Sequence, residues 1–306
     1  MPLPKPLRGI VPPLLTPLLT PASLDQESLD RLVEHVIAGG VHGVFILGTT
    51  GEGPALGLDL MQQAIACAGA AVRGRVPLLV GVTHASLADS LVVARAAADA
   101  GADAVVAAGP CYFPVAQPEL VAWGKHFAAA SPLPVFLYNM PSHAHVRFAE
   151  ASVVELAAEP NIVGLKDSAG EVLYLHGLQR AIPPRRPDFT LMIGPEELTA
   201  EAVLLGVHGG VNGGANLFPK LYVDLYRAAV AGDTVTLCRL HDRVIDISRR
   251  LYSVGTYGSS YLCGIKCAAA ELGLIRNVLA APYRAFDGAE RERIREQLLQ
   301  LGELTV

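Results

Sequence analysis

The chain contains PVFLYNMP at residues 134–141 and NIVGLKDS at residues 161–168. Each is a short run of apolar residues that does not alternate with polar ones and is bounded by turn-forming residues. Strands of this kind are buried on both faces, as in a parallel sheet that helices cover on both sides. The residues between the two runs have a helical pattern at about 149–158. This segment therefore predicts a strand, a helix and a second parallel strand.

Six further runs repeat this pattern along the chain. The eight predicted strands begin at Gly9, Gly43, Val76, Ala104, Pro134, Asn161, Thr190 and Gly209. Helical patterns alternate with them at about residues 23–37, 57–72, 86–100, 117–130, 149–158, 171–181 and 196–206. This alternation predicts an α/β fold, a closed (β/α)₈ TIM barrel. An open, doubly wound sheet is the competing arrangement, because six strands suffice for it.

Sequence patterns predict where the barrel ends along the chain and where its first helix begins and ends. After the eighth strand only helical patterns follow, at about residues 219–231, 233–253, 258–272 and 288–303. We therefore predict a barrel over residues 1–218 that carries the active site, and a C-terminal helical extension over residues 219–306 that packs on it. Near the start, Ser23 and Gln26 have the spacing of a capping box, so the first helix is expected to begin there and to end at Gly39-Gly40.

Composition excludes several classes of protein. Of 306 residues, 51% are hydrophobic and 17% are charged, which predicts a large buried core. The formal net charge of −5, without a long basic run, gives no footprint for nucleic acid or an anionic membrane, and we expect neither partner. The five cysteines have irregular spacing, which predicts neither disulfides nor a zinc site and fits a reducing cytoplasm.

Lys166 lies inside the apolar run of the sixth predicted strand, near its carboxyl end, and is one of only five lysines. Barrel enzymes carry their catalytic groups at that end of the strands. A lysine that snorkels from an exposed strand edge is the ordinary alternative, but a closed barrel has no free edge. Because burial favours the neutral amine, this position predicts a nucleophile able to form a Schiff base with a ketone.

Polar groups follow three other predicted strands. GTTGEG at residues 48–53 offers hydroxyl and backbone N–H groups that can converge on an anion, although a plain tight turn fits the same residues. Tyr138 ends the fifth strand, next to the strand of Lys166, and Tyr112 follows the fourth. For both tyrosines, ordinary packing is the alternative to catalysis.

Three motifs thus lie at predicted strand ends, in the order GTTGE (48–52), YNMP (138–141) and GLKDS (164–168). They resemble those of the class I pyruvate aldolases related to dihydrodipicolinate synthase and N-acetylneuraminate lyase. The resemblance covers nearly the whole chain, including PPLLTP near its start, the glycine-rich eighth strand and the C-terminal helices. It implies a lyase acting on pyruvate or another 2-oxo acid. No metal and no organic cofactor are implied, because the protonated imine is itself the electron sink.

The resemblance also implies roles for individual residues. Lys166 would form the Schiff base with the ketone of the 2-oxo acid, and Thr49 and Thr50 would bind its carboxylate. Tyr138 would be the acid/base group, with Thr49 and Tyr112 forming a hydroxyl relay behind it. In this family the tyrosine matching Tyr112 reaches in from an adjacent subunit, which implies a homodimer or homotetramer.

Other positions concern the second substrate. His143 stands where dihydrodipicolinate synthases carry an arginine that anchors a carboxylate, and His145 where a glycine is usual. The two histidines belong either to a solvated loop or to a pocket for a different aldehyde. Ser168 matches a hydroxyl-bearing position of the lyases and sugar-acid aldolases, and the backbone carbonyl of Val211 matches one that faces the Schiff base. Cys111 replaces a tyrosine common in the family.

The leading hypothesis is a cytoplasmic Schiff-base lyase that cleaves a 2-keto-3-deoxy sugar acid, or a similar hydroxylated 2-oxo acid, to pyruvate and an aldehyde. Dehydratase variants of the same imine chemistry stay open. One alternative is a dihydrodipicolinate synthase, which joins pyruvate and aspartate semialdehyde. The other is a catalytically silent barrel that binds a small carboxylate, with Lys166 as a counter-charge.

Overall fold

A computed structural model describes residues 3–303 and contains one eight-stranded sheet in which every neighbouring pair is parallel. We number its strands β1–β8: Gly9–Ile10, Val44–Ile46, Leu78–Gly81, Ala104–Ala108, Val135–Asn139, Ile162–Asp167, Thr190–Ile193 and Gly209–Gly210. Each predicted run contributes one of these strands, so the predicted set of eight strands is confirmed.

The sheet closes into a barrel between β1 and β2. Pro13, just beyond β1, pairs with Phe45 in a parallel bridge. The backbone N–H of His42 donates to Ile10 O at 2.8 Å, and that of Phe45 donates to Pro12 O at 3.0 Å. The ladder is short here because a proline has no N–H to donate. The predicted (β/α)₈ barrel is confirmed, and the open doubly wound sheet is wrong.

Helices alternate with the strands and then continue past the barrel. We number them α1–α11: Gln26–Ala38, Leu58–Val72, Leu87–Asp99, Gln117–Ala130, Glu150–Leu156, Val172–Ala181, Thr199–Leu204, Pro219–Ala231, Thr234–Leu251, Ser260–Glu271 and Gly288–Gln300. Helix α8 follows β8 and packs against α7 and β1, while α9, α10 and α11 pack on one another. The predicted C-terminal helices are therefore present. The division of the chain after residue 218 stays a prediction.

The first helix begins later than the capping-box pattern predicts, so that prediction is wrong. Asp25 is the N-cap of α1, and its Oδ1 accepts a hydrogen bond from Ser28 N at 3.2 Å. The Ser23 hydroxyl instead lies 2.7 Å from that of Thr20, within a short antiparallel hairpin of Leu18–Thr20 and Ser23–Leu24. Because the hairpin holds Ser23 in a strand, the next acidic side chain caps the helix. Gly39 ends α1, as predicted.

The barrel interior forms an apolar floor beneath the strand ends. Phe45 and Phe136 are almost fully buried, and a Cβ added to Gly164 would lie 2.5 Å from the Phe136 ring. Gly164 is thus required for this aromatic layer, which lies one side-chain layer below Lys166 on the same strand face. Within residues 3–303, none of the helices has the length and apolar character needed to cross a membrane.

Candidate active site

Lys166 lies near the carboxyl end of β6 with its amine held among aromatic rings. The residue is 6% exposed, and its Nζ lies 4.1 Å from the centroid of the Tyr138 ring and 5.3 Å from that of Phe45. Tyr138 and Lys166 are register partners across the β5–β6 pair. The prediction that these two side chains lie together is confirmed, and the amine is largely shielded from solvent.

The two threonines of the loop after β2 face the same space. Thr49 Oγ1 lies 3.2 Å from the Tyr138 hydroxyl, and Thr50 Oγ1 lies 3.0 Å from the Tyr261 hydroxyl on α10. Thr50 is almost fully buried. One threonine therefore contacts the phenol beside Lys166, and the other is fixed by the C-terminal helical region.

Close backbone packing gives this loop its shape. A Cβ on Gly53 would lie 2.0 Å from Leu47 O, and one on Gly51 would lie 2.7 Å from Leu14 O, so both positions require glycine. Leu47 and Glu52 have φ of 58°, in the left-handed region. Such strained backbone persists where surrounding contacts impose it, commonly at functional sites.

A cavity of about 600 Å³ opens at the carboxyl ends of the strands. It is lined by seven of the eight predicted site residues: Thr49, Thr50, Tyr138, His143, Lys166, Ser168 and Val211. A second chamber of about 310 Å³ adjoins it, shares Thr49, Tyr138 and His143 with it, and includes Cys111. The strand ends thus bring the predicted residues together around one opening.

Tyr112 is the predicted residue that a single chain does not bring to the cavity. It is 80% exposed and packs edge to face on Phe113, with the ring centroids 5.0 Å apart. The contact between Thr49 and Tyr138 that the predicted relay requires is present within the chain, and the relay itself stays a prediction. The contribution of Tyr112 to the site of an adjacent subunit stays a prediction.

The two histidines after YNMP have different surroundings. His143 lies in a single helical turn, Pro141–Ala144, lines the cavity rim and pairs with the Ser142 hydroxyl at 3.0 Å. Desolvation at the cavity rim lowers the pKa of His143, and the charges of His145 and Lys166 lower it further, which favours the neutral form of the imidazole. Both histidines are exposed, but His145 lies outside both cavities. The solvated-loop interpretation therefore fits His145, and only His143 faces the site.

Glu196, after β7, lies in the cavity wall and was not singled out from the sequence. Its Oε1 accepts hydrogen bonds from the hydroxyls of Tyr222 at 2.6 Å and Tyr252 at 2.9 Å, and its Oε2 accepts one from Gly214 N at 2.8 Å. Burial raises the pKa of Glu196 to about 7, although the three donors favour the ionised form. The carboxyl group therefore titrates near neutral pH at the edge of the site.

The C-terminal helices supply part of the cavity wall, which sequence reasoning also missed. Tyr252 and Tyr261 line the cavity and pack edge to face, with centroids 4.8 Å apart. Tyr261 reaches Thr50, and Tyr252 reaches Glu196. No pattern in the sequence distinguishes these tyrosines from packing residues, because the contacts join elements far apart in the chain.

A fully buried ion pair ties the threonine loop to α10. Lys266 Nζ contacts Glu52 Oε1, both side chains have no exposed surface, and Glu52 Oε2 accepts a hydrogen bond from Ala280 N at 2.7 Å. Sequence reasoning missed Lys266, although a signal was present. It is the one charged residue between Arg250 and Glu271. The argument that singled out Lys166 applies to it equally.

The two cavities are lined by fewer cationic than acidic side chains. Among residues 3–303, Lys166 is the one lysine or arginine that lines either of them. Glu196 and Glu197 line the larger cavity on the side of β7, and Ser168 adds a hydroxyl. Beyond the amine, the space therefore offers hydroxyl, imidazole and carboxyl groups but no second fixed cation.

Comparison with known proteins establishes the family. The model of the dihydrodipicolinate synthetase family matches residues 6–301. A 4-hydroxy-tetrahydrodipicolinate synthase from Salinibacter ruber is 30% identical over 294 residues, which cover 95% of this chain and 94% of that protein.

Solved structures agree with this match. The dihydrodipicolinate synthase of Bacteroides thetaiotaomicron has a TM-score of 0.94 at 48% identity and covers 97% of this chain and 99% of its own. YagE, a prophage protein of Escherichia coli K12 solved in complex with pyruvate, has a TM-score of 0.91 at 28% identity, with coverage of 97% and 99%. The chain belongs to the dihydrodipicolinate synthetase family, whose members are lyases and synthases of the class I type.

Proposed function

We propose that this protein is a class I lyase in which Lys166 forms a Schiff base with pyruvate or a related 2-oxo acid. The observation that carries the proposal is the position of the Lys166 amine, 6% exposed and packed on the Tyr138 ring at the mouth of a closed barrel. The nitrogen lone pair of the amine attacks the C2 ketone, and a carbinolamine forms. Loss of water from the carbinolamine then gives the imine.

The remaining groups act on the proton transfers and on the carboxylate. Tyr138 donates a proton to the leaving hydroxyl of the carbinolamine and takes one from the aldol hydroxyl during cleavage. Thr49, 3.2 Å from the phenol oxygen, passes the proton on. The N–H and hydroxyl groups of Thr49 and Thr50 bind the carboxylate of the 2-oxo acid. The carbonyl of Val211 faces the imine.

The aldehyde has two candidates. The names of most matched relatives favour aspartate semialdehyde, the substrate of a 4-hydroxy-tetrahydrodipicolinate synthase, over the 2-keto-3-deoxy sugar acid expected from the sequence. The cavity wall favours an uncharged, hydroxylated aldehyde, because it presents Ser168, His143 and Glu196 and, within the described part of the chain, has no lysine or arginine besides Lys166. A substrate carboxylate beyond the imine would lack a charged partner there.

Reduction with borohydride in the presence of pyruvate tests the Schiff base. We expect the protein to gain one reduced pyruvate, mapped by mass spectrometry to Lys166. The K166M variant should gain none, and K220M, which changes an exposed lysine paired with Asp224, should label as wild type does. Binding of pyruvate without a trapped adduct would support the silent carboxylate-binding barrel instead.

A substrate panel tests the aldehyde. Condensation of pyruvate with aspartate semialdehyde and release of pyruvate from keto-deoxy sugar acids are measured on the same preparation. The larger kcat/KM identifies the reaction, since it reports differential binding of the transition state. Dehydration without pyruvate release would identify the dehydratase variant.

We also propose that the working unit is a homodimer or homotetramer in which Tyr112 of one subunit serves its neighbour. Exposure of the adjacent rings of Tyr112 and Phe113 supports this, because large exposed aromatic residues mark interaction surfaces. Mixed oligomers of the K166M and Y112F variants should regain activity if the tyrosine acts between subunits. A fully active monomer would contradict the proposal.

A further inference from the structure

The proposed function leaves Asn139 and Asp167, two residues of the YNMP and GLKDS motifs, without a role. Each directly follows a proposed catalytic residue, Tyr138 or Lys166. Both are completely buried. Because successive side chains of a strand point to opposite faces of the sheet, they lie on the outer side of the barrel wall, while Tyr138 and Lys166 line the cavity.

A side-chain hydrogen bond joins Asn139 and Asp167 across the β5–β6 pair. Asn139 Nδ2 donates to Asp167 Oδ1 at 2.7 Å. The two residues are register partners, one position beyond the Tyr138–Lys166 pair. The backbone N–H of Ser168 also donates to Asn139 O at 2.8 Å. These bonds fix the end of the ladder at the point where the phenol and the amine lie side by side.

The same two side chains hold the loops that follow both strands. Asn139 Oδ1 accepts a hydrogen bond from Phe148 N at 3.2 Å, which closes the loop that carries His143. Asp167 Oδ1 accepts one from the backbone N–H two residues on, at 3.3 Å, which fixes the turn that carries Ser168. The Asn139–Asp167 pair therefore supports the neighbouring Tyr138–Lys166 pair. It also supports the loops of His143 and Ser168, which are proposed to face the aldehyde.

Burial of this carboxyl group costs stability. Burial raises the pKa of Asp167, and the hydrogen bond from Asn139 lowers it. Within residues 3–303 its second oxygen, Oδ2, has no hydrogen-bond partner. An unpaired oxygen in the interior costs free energy that an apolar side chain would avoid. A gain in stability therefore does not explain the Asn139–Asp167 pair, whereas a geometric role does.

We propose that Asn139 and Asp167 are positioning residues for the lyase reaction proposed above, on which this inference rests. Their hydrogen bond sets Tyr138 against Lys166 and holds the His143 and Ser168 loops at the cavity. Neither side chain touches the substrate.

The N139D variant tests the bond by placing two carboxyl groups against each other. We expect kcat to fall about 10²-fold, the cost of a small misplacement of reacting groups. KM for pyruvate should change little, because Thr49 and Thr50 lie on another strand end. The double variant N139D/D167N exchanges donor and acceptor between the strands, so it should restore most of kcat. N139A, which removes the donor without adding charge, is measured alongside in case N139D does not fold.

Asn161→Ala is the matched control, because it makes the same chemical change at the opposite end of the β5–β6 pair. Asn161 Nδ2 donates to Ala128 O at 2.8 Å, and Asn161 O accepts from Val135 N at 2.8 Å. N161A should lower Tm and leave kcat near that of the wild type. A purely structural role for Asn139 would give N139A the same result.

The possible outcomes separate this inference from the proposed function. If wild type forms no pyruvate adduct under borohydride, the proposed function fails and the positioning role fails with it. If wild type forms the adduct and N139A keeps its kcat, only the positioning role is overturned. A double variant no more active than N139D, or an N161A variant as inactive as N139A, also overturns it.

Discussion

The Tyr138 hydroxyl lies 3.2 Å from Thr49 Oγ1, although 89 residues separate the two in the chain. The contact joins the carboxyl ends of β5 and β2 across the barrel mouth. The Thr49 hydroxyl is therefore a neighbour with which the phenol can exchange its proton. The face of the same ring packs on the Lys166 amine. One tyrosine thus shields the amine with its face and, in the proposed mechanism, transfers protons through its oxygen.

Tyr138→Phe should separate these two roles. The ring remains, so we expect the fold and the burial of Lys166 to be kept, while loss of the hydroxyl lowers turnover by about 10² to 10⁴. Steady-state kinetics and circular dichroism measure the two effects. Unaltered turnover with an intact spectrum would remove Tyr138 from the mechanism.

His143→Arg should change the choice of aldehyde. An imidazole whose lowered pKa favours the neutral form is replaced by a permanent cation at the cavity rim, which favours a carboxylate-bearing aldehyde by a charge-assisted hydrogen bond. We expect the ratio of kcat/KM for aspartate semialdehyde to that for an uncharged hydroxyaldehyde to rise roughly tenfold. His145→Arg is the control, because that side chain lies outside both cavities. An equal shift in both variants would show a general charge effect instead.

Glu196 should make folding stability depend on pH near neutrality. Its pKa is raised by burial from 4.5 to about 7, so the folded chain holds this proton more tightly than the unfolded chain does. The resulting stabilisation is full below the unfolded pKa and is lost as the pH rises through about 7. Thermal unfolding of wild type and E196Q should show that wild-type Tm falls relative to the variant across this range.

The control for this titration is E197Q, which removes the neighbouring carboxylate from the same cavity. Because the charge of Glu197 contributes to the raised pKa of Glu196, this variant should keep the fall in Tm but move it to lower pH. A wild-type to E196Q difference that stays constant from acid to neutral pH would show that Glu196 does not titrate there.

Lys266→Met should destabilise the protein strongly, because it leaves the buried Glu52 carboxylate without its cation. Removing one partner of a buried pair costs about 3–5 kcal/mol. E52Q/K266M removes both charges and keeps an acceptor for Ala280 N, so it should recover most of the loss in denaturant unfolding. K125M breaks an exposed pair with Glu155 and should have little effect. A double variant as unstable as K266M would show that packing, not charge, is lost.

The barrel was predictable from local patterns because a strand that is buried on both faces has a run of apolar residues without alternation. The run before Lys166 shows this, since every residue from Ile162 to Asp167 is buried. It was less predictable which of two neighbouring residues caps a helix. Ser23 and Asp25 can both cap a helix, and the hairpin that occupies Ser23 is visible only in three dimensions.

The site was predictable where a residue contradicts its own segment, as Lys166 does in an apolar strand. The same rule points to Lys266, once α10 is seen to be buried on all sides from Leu262 to Ala269. Tyr252 and Tyr261 carry no such contradiction, because tyrosine is common in packed helices. Their role depends on contacts with Glu196 and Thr50, which lie more than fifty residues away in the chain.

The contacts made by α10 limit how far the polypeptide can be shortened. Tyr261 and Lys266 hold the loop that carries Thr49 and Thr50, so a fragment ending after β8 would contain every proposed catalytic group yet present them on an unsupported loop. We therefore expect the barrel alone to be a poor catalyst. A shortened version of the protein should therefore keep the C-terminal helices, because they form part of the cavity wall.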